Sequence, residues 1–158
     1  RLHGDRYPQQ PQQGTTGGAT CLSGAPNEVW CFGEEDYEIC KKYLFLRERM
    51  RPYIRELMAA AHEKGTPVMR PLFYEFSQDG AAWSCEDAYL FGPSLLVAPV
   101  MEAGQRQRQV YLPSGAQWTH VWSGKTYEGG QTVTVDAPLE EIPVFTKDQA
   151  LMALFEEK

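Results

Sequence analysis

The sequence predicts a mainly β protein with a helical segment before the β part, and the β part is expected to be an antiparallel sandwich. After Pro67, short runs of β-branched and aromatic residues follow one another. Turn signals such as Gly92-Pro93 and Gly129-Gly130 separate these runs, and this spacing is typical of a sandwich. Before Pro67, apolar residues recur instead at helical steps over Glu34 to Lys64.

Residues 5–33 show neither a helical nor a strand period. Prolines and glycines interrupt the segment, and glutamine-rich polar residues lie between them. Trp30 and Phe32 are bulky side chains that a disordered linker rarely carries. We therefore predict a loop that packs against another part of the protein.

The predicted helix over residues 34–64 has sequence signals at both ends. Three acidic residues from Glu34 onward suit the positive end of a helix dipole, whereas Gly65 and Pro67 form a stop signal. Pro52 lies inside the segment, where its ring clashes with the preceding turn and one backbone donor is lost. We expect a kink near residues 48–52 or two abutting helices.

Seven strands are predicted after the helix. Alternation at Thr132 to Val135 indicates one buried and one solvated face. A further strand is suggested for Ala150 to Phe155. The seven are Val68–Phe76, Tyr89–Phe91, Leu95–Met101, Arg108–Leu112, Trp118–Trp122, Thr132–Val135 and Ile142–Phe145.

Composition and the spacing of the cysteines argue against several classes of partner and cofactor. A formal net charge of -6 argues against nucleic acid, and the absence of a long apolar run argues against a membrane partner. His3 with Cys21 and Cys31 offers three zinc ligands, but structural zinc sites favour close-spaced pairs, so no metal and no cofactor are predicted. The thiols are expected to be reduced in a cytoplasmic protein, and disulfides remain open for an exported one.

The acidic residues give no paired catalytic carboxylates by spacing alone. We expect them to be solvated surface or turn residues. They are Asp5, Glu75, Asp79, Glu86, Asp87 and Asp136.

Aromatic residues allow a second function, a carbohydrate-binding module. Sugar rings stack on flat aromatic side chains, and Trp83, Trp118, Trp122 and Tyr127 are candidates. On one strand, Trp118, His120 and Trp122 would share a face. Burial tendencies favour a core position for that face, and a stand-alone carbohydrate-binding or structural sandwich remains the alternative.

Four segments in order closely resemble glycoside hydrolase family 31. They are RERMRPYI at 47–54, GTPVMRPLFYEF at 65–76, YLFGPSLLVAPV at 89–100 and VYLPSGAQW at 110–118. The resemblance implies a retaining α-glycosidase acting on terminal α-linked glucose or xylose. In such enzymes a (β/α)8 barrel precedes proximal and distal β-sandwich domains.

The resemblance implies a division of the chain into three parts. Residues 1–65 would be the C-terminal remnant of the barrel, with the last strand end at 1–4, a loop at 5–33 and the final helix at 34–64. Residues 66–148 would form the proximal sandwich, and 149–158 would start a further segment or a tail.

The resemblance also implies the site residues. His3 would hydrogen-bond sugar hydroxyls in the -1 subsite, and Arg1 would shape the pocket wall. The loop at 27–30 would line or buttress that site.

The aspartate nucleophile and acid/base of the family precede this segment, and Asp5 matches neither role. A chain that opens on Arg1 is therefore expected to be the C-terminal piece of a larger enzyme and inactive alone. Its exposed helix face should drive self-association.

Overall fold

The computed structural model describes residues 29–156. The chain divides into two units, residues 1–48 and 49–158, which are described separately. In the first unit, a short 3-10 turn at Val29–Cys31 precedes helix α1, Glu34–Arg49. Within residues 29–156, neither α1 nor any later helix is long and apolar enough to cross a membrane.

The predicted break in the helical segment is confirmed. Helix α1 ends at Arg49, and α2 spans Arg51–Lys64 after Met50. Pro52 thereby falls in the first turn of α2, where its missing N–H costs no hydrogen bond. The helix ends where the Gly65 N–H donates to the Ala61 carbonyl at 3.0 Å.

The β part of the described chain consists of two antiparallel sheets, which confirms the predicted β architecture. The strands are β1 Met69–Arg70, β2 Tyr89–Phe91, β3 Leu95–Val97, β4 Gln107–Leu112, β5 Gln117–His120, β6 Thr126–Glu128, β7 Gln131–Asp136 and β8 Val144–Thr146. The larger sheet has the strand order β1-β2-β3-β8-β5-β6, and β4 pairs with β7 in the smaller. We refer to residues 69–146 as the β region.

Both sheets contribute to one buried cluster. Trp118 and Phe145 of the larger sheet are fully buried, and Val110 and Val133 of the smaller sheet belong to the same cluster. The alternation predicted for β7 is confirmed, because its two valines are buried while its two threonines are exposed. Burying each large apolar side chain contributes about 1.5 to 3 kcal/mol.

Two strand predictions are wrong. Only Met69 and Arg70 of the Val68–Phe76 run pair in the sheet, because Pro71 has no N–H for the ladder, and Leu72–Glu75 forms a short helix, α3. The strand suggested for Ala150–Phe155 is instead a 3-10 helix, Gln149–Leu154. The Asp148 carboxylate caps that helix by accepting from the Ala150 N–H at 3.0 Å.

Several predicted strand limits differ from the structure, and one strand was not predicted. The strand predicted to reach Met101 ends at Val97, and the one predicted to reach Trp122 ends at His120. Strand β6 was not predicted, because its three residues carry only a weak β pattern.

Helix α2 packs on the turn between β2 and β3. The Tyr53 hydroxyl donates to the Phe91 carbonyl at 2.9 Å, and Leu57 is buried. Gly92 follows in that turn with a φ of 67°, and a Cβ placed on it would collide with the Tyr53 hydroxyl and a Leu57 methyl. The close approach of α2 to the sheet therefore requires glycine at this position.

Substituting Gly92→Ala should destabilise the protein by about 3 kcal/mol or more, since backbone strain adds to displacement of α2. Urea unfolding followed by tryptophan fluorescence measures the loss. Gly104→Ala is a matched control, because Gly104 has a φ of 77° with no atom within 4 Å of an added Cβ. The control should lose about 1 kcal/mol, and equal losses in the two variants would contradict this explanation.

Candidate functional site

The two residues implied as sugar ligands, Arg1 and His3, lie outside the described residues and stay predictions. Asp5 and the first half of the 27–30 loop also lie outside them. Of that loop, the 3-10 turn is described, and Trp30 is 67% exposed. Of the zinc ligands considered above, His3 and Cys21 are outside the described residues.

Two carboxylates of the β region serve structural ion pairs. Glu75 pairs with the buried guanidinium of Arg70. Asp87 Oδ2 lies 2.6 Å from an Arg108 nitrogen, and Arg108 also donates to the carbonyls of Pro99 and Gln109. The hydrogen bond from Arg108 holds the pKa of Asp87 below its ordinary value, although burial opposes it.

Asp79 is a buried carboxylate that accepts hydrogen bonds from three different segments. Tyr111 Oη lies 2.7 Å from Oδ2, the Ser114 N–H donates to Oδ2 at 2.7 Å, and the Ala81 N–H donates to Oδ1 at 3.0 Å. The Ser114 hydroxyl adds a bond of 3.0 Å. The prediction of a turn residue is correct, but the expected solvation is wrong, because Asp79 is only 8% exposed.

The charge on Asp79 is stabilised by these donors. Burial alone would raise the pKa of Asp79, but the hydrogen bonds from Ser114, Tyr111 and Ala81 outweigh it and hold the pKa below its ordinary value. Conversely, burial and the Asp79 charge raise the pKa of Tyr111 to about 12. The arrangement suits an ionised acceptor and a neutral phenol, so Asp79 joins segments of the fold.

Trp118 occupies the core, as the burial argument predicted. It is fully buried, and its indole N–H donates to the Pro113 carbonyl at 3.0 Å. Trp122 lies beyond the end of β5, and its indole N–H donates to the Ile142 carbonyl at 2.7 Å. A surface platform that uses Trp118 is therefore excluded.

Trp83 is an exposed tryptophan of the β region whose ring is held by two contacts. It is 59% exposed, yet its ring stacks on Phe73 with centroids 4.5 Å apart and planes within 7°. Its indole N–H donates to the Ser77 carbonyl at 3.0 Å. Sequence reasoning named Trp83 but gave no reason for this stack, which depends on helix α3.

His120 is a buried histidine beside a cleft. It is 5% exposed, its ring lies 5.0 Å from that of Phe145, and Nδ1 shares a hydrogen bond of 2.9 Å with Ser123 Oγ. Burial lowers the pKa of His120. The adjoining cleft has a volume of 450 Å³ and is lined by residues of β5, β6 and β7 together with Trp122, Ser123, Lys125 and Glu141. Sequence reasoning placed His120 on the core face and missed the cleft.

Over 29–156, no three His, Cys, Asp or Glu side chains are grouped to hold a metal ion. Cys40 and Cys85 are free thiols, and burial raises the pKa of Cys85.

Residues 65–152 match the C-terminal domain of glycosyl hydrolase family 31. The chain is 42% identical over 127 residues to alpha-glucosidase 2 of Bacillus thermoamyloliquefaciens, covering 80% of this chain and 16% of the relative. It is 36% identical over 129 residues to an alpha-xylosidase of Saccharolobus solfataricus, covering 82% and 18%. A family 31 alpha-xylosidase structure from a soil metagenome, complexed with xylose, matches with a TM-score of 0.82 and 49% identity, covering 93% of this chain and 22% of that one.

The mostly antiparallel β region and these matches define a class, the C-terminal β domain of glycoside hydrolases. The chain belongs to glycosyl hydrolase family 31. It spans less than a quarter of the length of each relative named above.

Asp79 should make protein stability depend on pH. Because its folded pKa is depressed, its contribution is present above the unfolded pKa of about 3.9 and is lost as pH falls through the folded pKa. Asp79→Asn should cost about 2 to 3 kcal/mol at neutral pH and progressively less under acid conditions. Urea unfolding over a pH series measures the difference from wild type.

Asp136→Asn provides the matched control. Asp136 is exposed and accepts one hydrogen bond, of 3.2 Å, from Gln107 Nε2. The control should change stability by no more than about 0.5 kcal/mol. A pH-independent loss in Asp79→Asn would show that the ionised carboxylate is not the stabilising species.

Proposed function

We propose that this chain is the C-terminal portion of a retaining α-glycosidase that hydrolyses terminal α-linked glucose or xylose from oligosaccharides and glycosides. The observation that carries the proposal is the family 31 match over residues 65–152. Relatives named α-glucosidase and α-xylosidase both align with most of the chain, which supports these two sugars as the substrate class.

The proposal assigns residues 1–65 to the end of a (β/α)8 catalytic barrel. Similarity to the xylose-bound α-xylosidase covers 93% of the chain, so it extends beyond the matched domain at 65–152. Helices α1 and α2 would together form the final barrel helix proposed at 34–64. Residues 66–148 would then be the proximal sandwich, and 149–158 the start of a further segment.

The catalytic roles follow from the same assignment. A retaining mechanism needs a nucleophile and an acid/base about 5 to 5.5 Å apart. The family resemblance implies that the two catalytic carboxylates come from earlier barrel strands, and the structural bonds of Glu75, Asp79 and Asp87 agree with that. His3 would hydrogen-bond sugar hydroxyls, because a neutral imidazole both donates and accepts, and Arg1 would shape the pocket wall.

The helical segment carries exposed apolar side chains. Leu44 and Phe45 of α1 are 47% and 60% exposed, and Met58 of α2 is 58% exposed. In the proposed enzyme the barrel would cover such residues. The 158-residue chain alone is therefore proposed to self-associate through them.

The isolated chain should show no turnover of aryl α-glucosides or α-xylosides, whereas the whole enzyme should hydrolyse one of them with retention of configuration. In the whole enzyme, His3→Ala should lower kcat/KM about a hundredfold, because a hydrogen bond to the transition state is lost. His62→Ala changes an exposed histidine of α2 and should leave kcat/KM unchanged. Turnover by the purified chain, free of host glycosidase, would overturn the assignment of the catalytic carboxylates.

Sedimentation of the isolated chain should show concentration-dependent association. Phe45→Glu should weaken that association about tenfold or more, since a charge replaces an apolar contact. Leu139→Glu makes the same type of change at another exposed apolar residue, 48% exposed in the β region, and should leave the association unchanged. A strictly monomeric wild-type chain at high concentration would contradict the proposed self-association.

A further inference from the structure

The connection between β5 and β6 is a tight turn, residues 121–125, which we call the hairpin tip. Its backbone is closed by two hydrogen bonds of 2.9 Å, from the His120 N–H to the Lys125 carbonyl and from the Gly124 N–H to the His120 carbonyl. Ser123 Oγ accepts from the Lys125 N–H at 3.3 Å and shares a 2.9 Å bond with His120 Nδ1. The His120 side chain is thus part of the hydrogen bonding that closes the tip.

The closed tip suits a neutral His120 ring and opposes a charged one. Nε2 is buried and has no hydrogen-bond partner in the part of the chain that the structure describes. In the imidazolium form both ring nitrogens carry a proton and donate. Proton uptake in the closed tip would therefore bury a positive charge together with an N–H that has no acceptor, which costs more than an unpaired neutral group.

The titratable groups around His120 leave such a charge without a direct partner. They come from the tip, β6, β7 and the connection before β8, and all line the cleft beside His120: Lys125, Tyr127, Asp136 and Glu141. Strand β8, which carries Phe145 against the ring, has no titratable residue. Neither carboxylate reaches Nε2. Burial is what lowers the pKa of His120, with no contribution from charged groups of the described chain.

The hairpin tip also contacts two segments that are distant in sequence, both through Trp122. The indole N–H donates to the Ile142 carbonyl at 2.7 Å. The ring meets that of Phe155 edge-on, with centroids 5.4 Å apart. Phe155 is buried and directly follows the 3-10 helix at Gln149–Leu154. Opening of the tip would therefore remove a contact of the C-terminal segment.

We propose that His120 is a pH-sensitive latch, in which the neutral ring holds the hairpin tip closed and proton uptake opens it, releasing Trp122 from Phe155. The latch requires neither turnover nor a bound sugar, so it goes beyond the proposed hydrolysis. An open tip takes up the proton near the ordinary histidine pKa of about 6.5, whereas the closed tip takes it up only at lower pH. The opening equilibrium constant should therefore rise as pH falls below about 6.5, by up to about tenfold per pH unit.

Hydrogen exchange of the backbone amides of the 158-residue chain, followed by nuclear magnetic resonance, measures this opening. After correction for the intrinsic exchange rate at each pH, the opening constant at the His120 and Gly124 amides should rise about fivefold or more between about pH 7 and about pH 5.5. The amides of the β4–β7 pair should change less than about twofold. An unchanged tip, or an equal rise in both places, would overturn the latch.

A variant without a titratable ring should lose this response. His120→Phe should make exchange at the Gly124 amide independent of pH over the same range, whatever its effect on overall stability. His62→Phe is the matched control, because His62 is an exposed histidine of α2, and it should keep the wild-type response. Persistence of the pH dependence in His120→Phe would show that another group is responsible.

Titration of the wild-type chain gives a result that does not depend on the folding of any variant. The His120 ring resonances should titrate with a midpoint below about 6.5. The Trp122 indole N–H and the Phe155 ring resonances should shift with the same midpoint, because both lose their contact when the tip opens. A midpoint at or above 6.5, or titration of His120 without movement of these two side chains, would overturn the proposal.

Discussion

The two-sheet arrangement depends on a contact between two of the turns through which the chain changes sheets. The chain passes from β4 to β5 through residues 113–116 and returns from β6 to β7 through Gly129 and Gly130. The Gly129 N–H donates to the Ala116 carbonyl at 2.9 Å, and the Gly130 N–H donates to the Leu112 carbonyl at 2.7 Å. A Cβ on Gly129 would collide with the Pro113 carbonyl, so the contact requires glycine.

Buried polar groups also hold the turn between β4 and β5, at residues 113–116. Asp79 accepts from the Ser114 N–H, and the Trp118 indole N–H donates to the Pro113 carbonyl. Each bond uses a group that would be costly to bury unpaired. These bonds converge on residues 113–114 and hold the turn between β4 and β5 in its observed conformation. His120 differs from these groups, since its Nε2 is left without a partner in the described chain.

Sequence signals correctly predicted two features that depend on neighbouring residues in the chain. Pro52 predicted the helix break, and the alternation at Thr132 to Val135 predicted the buried face of β7. Apolar character alone misled the prediction at Ala150 to Phe155, because the side chain of Asp148 caps a 3-10 helix there. The hydrogen bond of Asp79 to Tyr111 and the ring contact of His120 with Phe145 both join residues that are distant in sequence. No spacing rule reveals such contacts, and Arg1 and His3 were assigned by resemblance alone.

The matches also bear on where sugar selectivity lies. This part of the protein aligns with relatives named α-glucosidase and α-xylosidase at 42% and 36% identity. A domain that accompanies both specificities has a fold compatible with either sugar, so its architecture does not choose between them. The choice of the terminal sugar would therefore lie in the proposed barrel site.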